Sequence, residues 1–136
     1  MGSILEMKDL NVPKSEGPLS GKRGLVIDDE FLIALDLQEI LEGAGAQITC
    51  AGSVDKALEA LRGEAYDFGV LDLHLGGDLT TGLAVAAGFA EHGIPFIFLS
   101  GMRSDERPAG GFPQAALIEK PYQPSALLAT IAKLLG

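Results

Sequence analysis

Gly24-Leu25-Val26-Ile27-Asp28-Asp29 sets four mostly apolar residues directly against two adjacent carboxylates. A run of this kind reads as a buried strand, because a strand covered on both faces has no solvent side on which to alternate polar residues. The acids end it. Outward from this stretch the same unit recurs: a short apolar run, a polar residue at its end, then a helical period. Ile33, Leu37, Ile40, Leu41 and Ala44 share one helical face, which Gly43 and Gly45 terminate, and residues 46–50 predict a second strand. Ser53 suits the N-cap of a helix carrying Val54, Ala57, Leu58 and Leu61, with Gly63 as its stop. Residues 67–71 predict a third strand ending at Asp72, 94–99 a fourth ending at Ser100, and 115–118 a fifth ending at Glu119-Lys120-Pro121. Residues 81–92 predict an Ala-rich helix. A last helix starts near Pro124 and buries Leu127, Leu128, Ile131 and Leu135.

Strands alternating with helices imply right-handed crossovers and a parallel sheet covered on both faces. The expected fold is α/β: a five-stranded parallel sheet in a flavodoxin-like (βα)5 doubly wound arrangement, strand order 2-1-3-4-5. Residues 101–119, 19 in all, must hold both helix four and strand five, and they include Pro108, Gly110, Gly111 and Pro113. Helix four is therefore expected to be short or mobile. Residues 1–21, with Pro13, Gly17, Pro18 and Gly21, read as a flexible N-terminal arm or linker, leaving 22–136 as one domain.

Of the 136 residues, 47% are hydrophobic and 21% charged, the balance of a globular domain and not of a disordered chain. No apolar run approaches the roughly 18 residues needed to cross a bilayer, and the N-terminus lacks a secretory pattern. A cytoplasmic location without membrane contact is expected. The net charge of −9 opposes nucleic-acid binding, which needs clustered Lys and Arg against phosphates. Cys50 stands alone, so neither a disulfide framework nor a structural zinc site is available, and it is expected to be a small buried packing residue.

In an open α/β sheet, ligands bind beyond the carboxyl ends of the strands at the switch point of strand order. Asp28 and Asp29 follow strand one, Asp72 strand three, Ser100 strand four and Lys120 strand five. Clustered carboxylates repel and would take up protons unless a cation joined them. Mg²⁺ suits the gap, being a hard ion that takes one or two carboxylates and recruits phosphate oxygens. Asp29 is the expected direct ligand and Asp28 a water-mediated one, with Glu30 able to contribute; Asp72 and the backbone carbonyl of His74 complete the metal set. Asp72 is also the expected nucleophile, forming an aspartyl phosphate, with Lys120 and the Ser100 hydroxyl neutralising the transferred group.

These residues, Val26-Ile27-Asp28-Asp29-Glu30, Leu71-Asp72-Leu73, Leu99-Ser100-Gly101 and Glu119-Lys120-Pro121, resemble the receiver domain of bacterial two-component response regulators across about residues 22–135. The Gly76-Gly77 loop and Ile94-Pro95-Phe96 add a finer resemblance to single-domain receivers associated with HWE-type histidine kinases. The resemblance implies phosphoryl donation to Asp72 by a histidine kinase or phosphotransfer protein, with Ser100 then turning toward the phosphate. It implies a phosphorelay signalling domain and not an enzyme acting on other molecules. With the sequence ending at Gly136, output is expected by protein contact from a stand-alone receiver, as a monomer or weak homodimer.

Three positions depart from the family pattern. Leu117 occupies the place of the usual aromatic switch residue, three before Lys120, so the coupling of Ser100 to an output face is altered. Helix four lacks room. Gly76-Gly77 replaces the proline common after the phosphoacceptor, which favours a loop that orders on metal binding or phosphorylation. Phe112 and Tyr122 are available aromatics near the output face, read first as packing, while Met102 and His74 hold positions that influence dephosphorylation in the family. Three other functions compete. An aspartate-nucleophile phosphatase would need Asp-x-Asp after strand one, and a flavin carrier a phosphate cradle in place of Asp-Asp-Glu. A pseudo-receiver that binds partners without being phosphorylated draws its support from Leu117.

Overall fold

A computed structural model describes residues 17–77, 79–101 and 116–136. Its elements are β1 (Arg23–Ile27), α1 (Phe31–Gly43), β2 (Gln47–Ala51), α2 (Val54–Gly63), β3 (Phe68–Asp72), a 3₁₀ turn (Leu75–Gly77), α3 (Leu79–Glu91), β4 (Phe96–Ser100), β5 (Ala116–Glu119) and α4 (Pro124–Leu134). The five strands form one sheet in the order β2-β1-β3-β4-β5, and every neighbouring pair is parallel. This is the expected flavodoxin-like topology.

The period-two geometry of a strand explains why both faces are apolar. Leu25, Ile27, Leu71, Phe96 and Phe98 point to one side and pack with Ala57, Leu61, Val85, Ala86 and Phe89 of α2 and α3. Val26, Phe68, Val70, Ile97 and Leu99 point to the other and pack with Leu37 and Leu41 of α1 and Leu127 and Ile131 of α4. Each such side chain contributes about 1.5–3 kcal/mol on burial. Stacking of Phe89 on Phe96, and of Phe96 edge-on to Phe98, each at 5.3 Å between centroids, joins α3 to β4.

Local signals set the helix ends. The Ser53 hydroxyl accepts the Lys56 N–H at 3.2 Å, with Asp55 in the first turn and Arg62 in the last, each complementing the helix dipole. Pro124 opens α4, where its missing N–H leaves no bond unmade. Leu127 and Ile131 are buried as expected, whereas Leu128 and Leu135 are half-buried.

Two expectations meet a different structure. Residues 17–21, grouped with the arm, pack on the domain: Leu19 is fully buried and its N–H donates to the Ala44 carbonyl at 2.8 Å. An apolar leucine at this place closes the open end of the α1 layer. Residues 1–16 of the arm lie outside the described residues. Cys50 is exposed and not buried, because β2 is an edge strand and its sulfur lies against Gln38, 3.7 Å from Oε1. The glycine loop forms a turn anchored by buried Leu75, in which Gly76 and Gly77 supply successive positive φ of 66° and 78°. Left-handed backbone, which other residues resist, accounts for the pair. The short or mobile helix four falls within residues 102–115, outside the described residues, as do Met102 and Phe112.

Candidate functional site

Parallel strands bring their carboxyl ends to one edge, and the polar residues of the sequence meet there. Asp28 directly follows β1, with its N–H donating to Ala51 at 3.1 Å. Asp72 and Ser100 are the last residues of β3 and β4. Lys120 follows β5, and its N–H donates to the Ser100 carbonyl at 2.7 Å. Asp28, Asp72 and Ser100 are 3%, 6% and 1% exposed, so three polar groups sit within the protein's apolar shell. Asp29 is exposed.

One carboxylate oxygen each of Asp28, Asp29 and Asp72 lies within 4.8 Å of the others. The Lys120 ammonium stands 3.5 Å from Asp28 Oδ2 and 3.7 Å from Asp72 Oδ2. Each buried acid uses its other oxygen on a backbone N–H two residues on. Asp28 Oδ1 accepts from Glu30 at 2.9 Å and Asp72 Oδ1 from His74 at 3.1 Å. These Asx-type bonds hold both carboxylates with Oδ2 turned toward Lys120.

Asp28 Oδ2 is buried with no hydrogen bond among the described residues, the ammonium lying at the outer limit of bonding distance. Burial raises the Asp28 carboxyl above its ordinary value of 3.8; the Glu30 N–H and the Lys120 charge oppose the rise, and Asp72 adds to it. A buried carboxylate oxygen with no donor closer than that ammonium, beside two further carboxylates, is a donor set fitted to a hard divalent cation such as Mg²⁺. The His74 carbonyl accepts the Gly77 N–H at 2.7 Å. That bond uses one of its two lone pairs. An open cleft of ≈ 320 Å³ lies over the cluster, lined by Asp29, Glu30, Asp72, His74, Gly77, Gly101 and Lys120.

Asp28, Asp29, Asp72 and Lys120 thus meet in one cluster, His74 lines the cleft over it and Ser100 ends the adjacent strand, whereas Leu117 lies in β5 paired with Phe98 and packs into the α2–α3 side of the core. One contact had no signal in the sequence. The Tyr122 hydroxyl donates to Asp36 Oδ2 on α1 at 2.8 Å, across 86 positions. Burial, the bond to Asp36 and nearby negative charge hold the phenol well above its ordinary value, so it remains a donor at neutral pH. Apolar periodicity places Asp36 on the outer side of α1 and nothing more. Three exposed apolar residues, Phe31, Leu32 and Leu35, occupy the first turns of the same helix, next to the cleft residues Asp29 and Glu30.

Residues 25–132 match the response regulator receiver domain family. The sensory/regulatory protein RpfC of Xanthomonas campestris pv. campestris is 31% identical over 118 residues, 82% of this chain and 16% of that protein. The transcriptional regulatory protein YvrH of Bacillus subtilis is 32% identical over 111 residues, 79% of this chain and 46% of its own length. The chain therefore spans less than half of these relatives. Among solved structures, a response regulator receiver protein from Sinorhizobium medicae superposes with TM-score 0.76 at 31% identity, covering 84% of this chain and 94% of that one. The response regulator TrrA of Thermotoga maritima, in complex with Mg²⁺-BeF, gives TM-score 0.73 at 29% identity over 83% and 98%.

Proposed function

The chain belongs to the response regulator receiver domain family of two-component systems, and we propose that it accepts a phosphoryl group on Asp72, in a Mg²⁺-dependent reaction, from the phosphohistidine of a histidine kinase or phosphotransfer protein. The observation that carries this reading is the convergence of three carboxylate oxygens within 4.8 Å beside an ammonium 3.7 Å from Asp72.

Asp28, Asp29 and Asp72, with the His74 carbonyl, would hold the metal. Bound there, Mg²⁺ supplies positive charge to the oxygens of the incoming phosphoryl group. Asp72 carries the nucleophilic oxygen: its bond to phosphorus forms as the phosphorus–nitrogen bond breaks, and the electron pair leaves with the imidazole. The His74 N–H on Asp72 Oδ1 fixes the carboxylate, leaving Oδ2 turned toward Lys120. Lys120, released from Asp72 as that charge is used, pairs with a phosphoryl oxygen, and the Ser100 hydroxyl donates to another. The domain then signals in the cytoplasm by protein contact, its surface biased by about two added negative charges.

Intact-protein mass after incubation with acetyl phosphate tests this, with and without Mg²⁺, on wild type and Asp72→Asn. A Mg²⁺-dependent gain of about 80 Da, one phosphoryl group, that vanishes in the variant supports the reading. No gain from acetyl phosphate or from any of a panel of histidine kinases would overturn it. The pseudo-receiver reading, which rests on Leu117 at the switch position, would then take its place.

A further inference from the structure

We infer that Tyr122 and Asp36 are a positioning pair for Lys120, an inference that rests on the proposed phosphoryl transfer only for its kinetic consequence. Lys120 reaches the cluster from the far side of the sheet, and its backbone N–H donates to the Ser100 carbonyl at 2.7 Å. Beyond Pro121 the chain leaves β5 and enters α4 at Pro124. Within that short connection, the Tyr122 hydroxyl donates to Asp36 at 2.8 Å and fastens the segment to another element. The fastening point is informative. Asp36 lies on α1, the helix that begins just after Asp28, Asp29 and Glu30, so the pair links the segment bearing the ammonium to the helix bearing the acids.

The Tyr122 ring packs against the α1–α4 side of the core, so Tyr122→Phe keeps the packing and removes only the bond. Without it, the loop after Lys120 gains freedom and the ammonium loses its fixed station between Asp28 and Asp72. The pair acts on Lys120 through the chain that carries it, so it governs where the ammonium stands between Asp28 and Asp72.

Two readouts test the pair. The first needs no phosphoryl transfer: the ¹³Cε resonance of Lys120 in the Mg²⁺-bound protein should move in Tyr122→Phe and in Asp36→Ala. It should stay in place in Asp36→Asn, whose amide oxygen still accepts the hydroxyl. The second is kinetic. With acetyl phosphate at saturating Mg²⁺, Tyr122→Phe and Asp36→Ala should each slow phosphorylation, by up to about 10²-fold for a group misplaced by about 1 Å. The double variant should lose no more than either one. A merely structural role would lower thermal stability with the Lys120 resonance unmoved, and Asp36→Asn would give no rescue. An unmoved Lys120 resonance in Tyr122→Phe overturns the inference, as do additive losses in the double variant. Failure of the wild type to gain phosphoryl from any donor would count against Asp72 as acceptor, while the resonance would still judge the pair.

Discussion

Lys120 Nζ lies 3.5 Å from Asp28 Oδ2 although β5 and β1 are separated in the sheet by β3 and β4. Three strand spacings amount to about 14 Å, so only a long extended side chain brings a cation from one to the other. The lysine lies across the carboxyl edge of the sheet, only 17% exposed, and meets Asp72 on the way at 3.7 Å. The buried acids and their neutralising charge are thus contributed by elements far apart in the chain, and each depends on the other.

Replacement of Lys120 by Met keeps the apolar stem and removes the charge. Phosphorylation by acetyl phosphate should fall by about 10²–10³-fold, the usual loss when a preorganised charge is taken from a developing anion. A rate within threefold of wild type would show that Lys120 does not meet the phosphoryl group.

Asp28→Asn tests the cost, in the metal-free domain, of a buried carboxylate oxygen with no donor closer than the Lys120 ammonium at 3.5 Å. Its removal should stabilise the domain in EDTA at pH 7 by about 1–3 kcal/mol, the penalty of one unsatisfied buried group, while weakening Mg²⁺ binding. The sign with pH follows from the raised carboxyl. Since the folded state holds this proton more tightly than the unfolded one, the group's favourable contribution is complete below 3.8 and is lost as pH rises through the higher folded value. Urea titrations should show the advantage of Asp28→Asn growing with pH across that window. An advantage that shrinks with rising pH would contradict the assigned cause.

Gly82, in the first turns of α3, packs against the chain just past Asp72. A Cβ there would stand 2.1 Å from the Leu73 carbonyl oxygen and 3.2 Å from that of Asp72. Backbone cannot yield as a side-chain tip does, so Gly82→Ala should destabilise by about 1–3 kcal/mol. It should also slow phosphorylation through displacement of Asp72. Thermal denaturation and the mass assay check both, and an unchanged melting temperature would show that α3 can shift freely.

Cys50 is exposed yet its thiol is raised above the ordinary 9.0, by partial burial of the sulfur and then by the Glu42 charge. Alkylation by iodoacetamide at pH 8 should therefore run more slowly than for a free cysteine, the gap closing as pH is raised, because only the thiolate reacts. Glu42→Gln should speed it. Reaction at the rate of an unperturbed thiol would remove the electrostatic cause.

The order of elements, the parallel sheet and the strand-end placement of Asp28, Asp72, Ser100 and Lys120 were all legible in the sequence. Buried strands and helical faces are written in local apolar period, and in a parallel sheet a residue's place at the end of its strand already decides which edge it reaches. Exposure of Cys50, the packing of Leu19 and the bond of Tyr122 to Asp36 were not legible. Each depends on which surface another element leaves open: a strand at the edge of the described sheet, an end of the α1 layer, a carboxylate 86 positions away. The glycine pair shows the same division, for Gly76-Gly77 announces unusual backbone, but only burial of Leu75 turns that freedom into a held turn. Local pattern determines what a segment becomes; only tertiary packing decides what its outward side chains meet, because those partners are set by through-space proximity that no spacing in the chain encodes.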